Sequence, residues 1–233
     1  MIFLVIGATG YVGRNVVTHA VAAGHDVIAH VRPESASGDR AAAQLVAAGA
    51  RVIRTAWTGE AWYRYLESNA PDRIFLVLGT TASRARSAMR TGGPDASQSA
   101  IDLGLTMQMI SVARAVSPEA GVIYLSALGA SATGNEYLRV RAAVEAALLS
   151  GPNPFTVVRP SFVTGPDRSE SRPAERIGAV MGDAVAAMLR MLGNRGRAAT
   201  LASITGPALA RILVDLAAGP LDRRVHALDD FRR

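Results

Sequence analysis

The stretch GATGYVG, residues 7–13, lies between a continuous apolar run, Ile2–Ile6, and a segment with helical periodicity from Tyr11 to Ala23. An uninterrupted apolar run of this length is expected of a strand buried on both faces, as in a parallel sheet. The connection that follows must be tight, and Gly7, Gly10 and Gly13 stand at the positions where a side chain would obstruct it. Gly7 permits the turn, Gly10 lets the backbone approach a pyrophosphate, and Gly13 lets the helix pack closely on the sheet. The helix N-terminus then presents free N–H groups, from Ala8 and Thr9 through Tyr11 and Val12, and the positive end of its dipole. A glycine triplet alone is weak evidence. After an apolar strand, and opening an alternating pattern, it points to a dinucleotide site.

The alternation continues. Strands are expected at 26–31, 51–54, 73–78, 122–125 and 155–159, and helices at 39–48, 58–68, 98–116 and from 136 onward. Strands separated by helices imply parallel pairing with right-handed crossovers. The expected fold is therefore α/β, a doubly wound parallel sheet of the Rossmann type. Beyond Pro160 the pattern loosens into a loop, a helix near 174–192, a short strand near 198–201 and a helix near 206–217. No internal repeat and no linker divides the chain. Residues 1–233 read as a single NAD(P)-binding domain, with 161–233 as an irregular C-terminal part on the substrate side.

Composition narrows the function classes. The chain has no Cys, and its four His are dispersed, so no disulfide framework and no metal site are expected. No apolar stretch approaches the ~20 residues of a membrane span, and the N-terminus lacks a basic leader region. A cytoplasmic protein without membrane contact is the simplest reading. The net charge of +6 arises from 25 Arg against 19 acids, with no Lys anywhere. These arginines are scattered, so no nucleic-acid partner is expected, and the excess suits a small phosphate-bearing ligand. A monomer or homodimer is expected.

The acid that holds a ribose 2′-hydroxyl in NAD sites is missing from the end of the second strand. That end reads AHVRPES, and Arg32 takes the place, which favours the 2′-phosphate of NADP over NAD. The alternative is a solvated Arg, with Glu34 reaching the ribose. After the fourth strand, LGTT places Leu78, Gly79 and Thr80 along the same crevice. Six further arginines, at 84, 86, 90, 168, 172 and 176, lie in loops expected to flank its mouth.

Tyr137 and Arg141 are four apart on one helical face, where a cation favours the phenolate of a neighbouring phenol. Taken alone this is a surface pair, and Glu145 is spaced to bridge Arg141 one turn on. Its place in the fold argues otherwise. The pair begins the helix after the fifth strand, whose end carries Ser126, and ligands of open α/β sheets bind outside the carboxyl ends of the strands. No G-x-S-x-G elbow suggests a hydrolase instead.

Together GATGYVG, Ser126 and Tyr137-x-x-x-Arg141 resemble the atypical branch of the short-chain dehydrogenase/reductase superfamily. LGTT at 78–81, SALGA at 126–130, YLRVRAAVEA at 137–146, VVRPSFV at 157–163 and RSESRPAE at 168–175 are similar to its Tat-interactive oxidoreductase subgroup. The resemblance implies an NADP-dependent oxidoreductase acting on a small carbonyl or quinone-like molecule. It casts Tyr137 as acid/base, Ser126 as the group polarising the carbonyl, and residue 141 as the contact to the nicotinamide ribose. The backbone after Pro160 would approach the nicotinamide amide. The departure is Arg141, where the superfamily has Lys. Either Arg replaced Lys along with every other Lys in the chain and still functions, or the protein binds NADPH without catalysis, as a regulatory or scaffold protein.

Overall fold

The computed structural model describes residues 1–33, 38–79, 103–165 and 203–231. The expected helix at 174–192, the strand at 198–201, the start of the 98–116 helix, Thr80, Glu34 and the six loop arginines lie outside the described residues.

The first half alternates as its sequence pattern requires: β1 Ile2–Ile6, α1 Tyr11–Ala22, β2 Asp26–His30, α2 Gly38–Ala47, β3 Arg51–Ile53, α3 Gly59–Ser68 and β4 Arg73–Leu76. The second half contains α4 Leu105–Val116, β5 Gly121–Leu125, α5 Glu136–Ser150, β6 Phe155–Arg159, β7 Val163–Thr164, β8 Ile204–Thr205, α6 Gly206–Ala218 and β9 Arg224–Ala227. Local chemistry sets several boundaries. Thr58, Asn135 and Thr205 cap α3, α5 and α6, each accepting from the backbone N–H three residues on. Gly24, at φ +82°, makes the left-handed turn that ends α1.

Seven parallel strands form one sheet in the order β3-β2-β1-β4-β5-β6-β9. The order reverses between β1 and β4, so the two loops leaving those strands diverge to opposite faces and open a crevice. β1 explains its own apolar run. Phe3 and Val5 pack with α1 and α6 on one face, while Leu4 and Ile6 pack with Trp62, Met109 and Val144 on the other. All four are fully buried, each worth roughly 1.5–3 kcal/mol of transfer free energy.

Three strands exceed the sequence expectation. β7 and β8 form a separate parallel pair of two residues each, and β9 extends the main sheet beside β6. No helix among the described residues is long and apolar enough to cross a membrane.

Candidate functional site

The glycine loop is built as its spacing requires. Gly7 has φ +92°, and a Cβ there would lie 2.8 Å from the carbonyl oxygen of Val77, at the end of β4. A Cβ on Gly10 would come within 3.2 Å of the Gly7 oxygen, and one on Gly13 would overlap it. Gly10 N–H donates to the Gly7 carbonyl at 3.0 Å, closing the turn. Gly10 is the N-cap of α1 and offers no side-chain cap; no acid occupies the first turn. Neither an N-cap side chain nor a first-turn acid therefore competes at the start of α1, and a phosphate fits there.

Ala8 is fully buried, Thr9 is exposed, and Tyr11 and Val12 are half-buried. Arg32 is exposed just past the end of β2. Asp39, the next described acid along the chain, is engaged by Arg54 at 2.5 Å.

At the far side of the crevice, α5 buries Val140, Val144 and Leu148 in a stripe four residues apart, which carries Arg141 and Glu145 inward beside it. Both are more than nine-tenths buried. The Arg141 guanidinium donates to the Leu78 carbonyl at 3.1 Å, the Leu125 carbonyl at 3.1 Å and the Tyr124 hydroxyl at 3.2 Å. It thus joins the carboxyl ends of β4 and β5. Its carbon lies 5.1 Å from the centre of the Tyr137 ring and 5.8 Å from that of Tyr124. Tyr137 is half-buried in the first turn of α5, which the Asn135 cap holds in place. A Cβ on Gly79, itself exposed, would sit 3.6 Å from the guanidinium.

Two pairings at this site are not visible from spacing. Glu145 does not bridge Arg141. It takes a fork of hydrogen bonds from Arg159, at 2.8 and 2.5 Å, because the end of β6 faces α5 at that turn. That fork, the larger influence, raises the Arg159 guanidinium above its ordinary range against the cost of burial. Ser126 is 3% exposed and donates its one hydroxyl proton to Glu145 at 2.5 Å. Ser126, Glu145 and Arg159 thus form one network at the carboxyl ends of β5 and β6. The Pro160 carbonyl is also engaged, accepting from Leu128 N–H at 2.8 Å, which ties the loops after β5 and β6 together. An open depression of about 510 Å³ between α3 and α4 is lined by none of these residues.

Sequence reading missed the partners of Arg141 and the aromatic pair around it. Nothing local signals them: Leu78 is 63 residues from Arg141 and Tyr124 is 17 away. Only the parallel register of β4 and β5 brings them together.

Residues 3–199 match the NAD-dependent epimerase/dehydratase family over most of the chain. The chain belongs to that family. Its members are NAD(P)-binding proteins of the extended short-chain dehydrogenase/reductase type. No curated protein matches the chain. Among solved structures it is similar to the FabI–NADH complex from Alistipes finegoldii, with a TM-score of 0.68 and 13% identity, covering 97% of this chain and 86% of that one. BdcA in complex with NADPH gives 0.65 and 16%, with coverage of 97% and 91%. ChuY, an anaerobillin reductase from Escherichia coli O157:H7, gives 0.62 and 16%, with coverage of 97% and 95%. At such identities the likeness is one of fold, and it agrees with the seven-stranded sheet of this family member.

Proposed function

We propose that the protein is an NADP-dependent oxidoreductase that moves a hydride between nicotinamide and a small carbonyl or quinone-like substrate. The observation that carries this reading is the placement of Tyr137 over the buried Arg141 guanidinium, which joins the ends of β4 and β5. Those ends border the same crevice as the glycine loop, since Gly7 abuts Val77 and Arg141 holds Leu78. The backbone of residues 7–13 would hold the pyrophosphate, and Arg32 the 2′-phosphate that distinguishes NADP from NAD. Nicotinamide, when bound, supplies or receives the hydride. In the reducing direction the substrate's carbonyl carbon takes that hydride, and its oxygen takes the Tyr137 hydroxyl proton. The Arg141 charge over the ring then stabilises the phenolate left behind.

A second reading has its own observation. Arg141 and Ser126 both spend donors on the protein itself, as expected of a fold kept for binding alone. On that reading the protein binds NADPH as a regulatory or scaffold element; fold does not decide between the two. Aerobic NADPH consumption against a panel of aldehydes, ketones and quinones separates them. Turnover with any member of the panel supports the oxidoreductase; tight NADPH binding with no turnover across it supports the second reading.

A further inference from the structure

We infer that Tyr11 is a positioning residue that couples occupancy of the glycine loop to the β7–β8 pair on the substrate side. The inference rests on the reading of residues 7–13 as the cofactor site. Tyr11 is the first residue of α1 and lies within the glycine loop, next to the Gly10 N-cap. Its side chain has a different task. The hydroxyl donates to the Thr164 carbonyl at 3.2 Å, 153 residues along the chain. A Cβ on Gly165 would overlap that hydroxyl, and one on Gly206 would lie 2.5 Å from the Tyr11 ring. Two glycines therefore make room for this one ring.

Those glycines directly follow the two short strands. Gly165 comes after β7 and Gly206 after β8, and the strands pair Val163 with Ile204 and Thr164 with Thr205. Ile204 N–H also donates to the Phe162 carbonyl at 2.9 Å, just ahead of β7. One residue thus has its backbone in the glycine loop and its ring tightly seated against the residues that follow the pair. Close packing leaves such a ring no slack, so a shift at the start of α1 is passed on. Coupling of this kind is reciprocal: whatever orders β7 and β8 also strengthens the glycine loop's hold on an anion.

Backbone hydrogen exchange with and without saturating NADPH tests this. In the parent protein NADPH is expected to slow exchange in peptides covering 7–13 and also at 203–206, the latter by about fivefold or more. Tyr11→Phe keeps the ring between the two glycines and should retain most of that effect. Tyr11→Ala, which empties the space, and Gly206→Ala, which evicts the ring, should bring the ratio at 203–206 to about one, at NADPH concentrations that saturate 7–13 in each variant. A merely structural role would speed exchange equally with and without NADPH, leaving the ratio unchanged. That result overturns the inference, as does a parent protein protected at 7–13 but not at 203–206. Absence of protection at 7–13 in the parent, with NADPH or NADH, overturns the cofactor site itself and the inference with it.

Discussion

The guanidinium of Arg141 lies over the ring of Tyr137, 5.1 Å from its centre, while its N–H groups hold the carbonyls of Leu78 and Leu125. One side chain therefore joins two strands and charges the face of the proposed acid/base. Lys at this position would keep the charge, but a single ammonium cannot match a planar fork spread over three acceptors. Arg141→Lys is expected to keep or raise turnover while losing about 1–2 kcal/mol of stability, read as a lower Tm in thermal unfolding. Arg141→Ala should cost more, about 3 kcal/mol, because it strands buried acceptors.

Cofactor choice is expected to follow Arg32, exposed past the end of β2. Losing a charge-assisted contact costs about 1.5–3 kcal/mol, so NADPH should bind at least about tenfold more tightly than NADH. Arg32→Ala should remove most of that difference in a binding titration. Equal affinities in the parent protein would rule out this role for Arg32.

Much of this was legible in the sequence, for a physical reason. The glycine loop is mostly local: the steric demands at Gly10 and Gly13 come from residues within a few positions, and only that at Gly7 comes from afar, from the end of β4 beside β1 in the sheet. The helix carrying Tyr137 and Arg141 was equally plain from its spacing. β9 was not. Its four residues lie within DRRVHALDD, an edge strand whose pairing with β6 supplies the order that its composition does not. Nor could spacing choose between Arg141 and Arg159 as the partner of Glu145, since the choice depends on how α5 lies across β6.

The Ser126–Glu145–Arg159 network makes a stability prediction. Glu145→Gln keeps an acceptor for Ser126 but leaves the Arg159 guanidinium without its counter-charge. Because the Arg159 side chain is 31% exposed, the loss should fall below that of a fully buried pair, at about 2 kcal/mol. Chemical denaturation should show this as a lower midpoint with an unchanged slope.

His25 stacks on Phe3 at 4.2 Å, and burial, with a smaller contribution from the N-terminal amine, holds its imidazole below the ordinary His range. The unfolded chain therefore binds more protons than the native protein between the folded value and about 6.5. Stability contributed by neutral His25 is fully present above that pH and declines as the pH falls through the window. Exchange to Phe keeps the stack and removes the titration. The parent should therefore lose more in Tm than His25→Phe between pH 7.5 and 5.5, and an equal loss in the two proteins would contradict this role for His25.

The most direct measurement compares Tyr137→Phe with its parent on whichever carbonyl or quinone the parent reduces, following NADPH consumption under saturating cofactor. Phe keeps the ring over Arg141 and removes only the transferable proton. The expected result is turnover lower by roughly 10²–10⁴, the usual contribution of a positioned acid/base, with NADPH affinity barely changed. A Tyr137→Phe protein as active as its parent would contradict the assignment of Tyr137 as the proton donor.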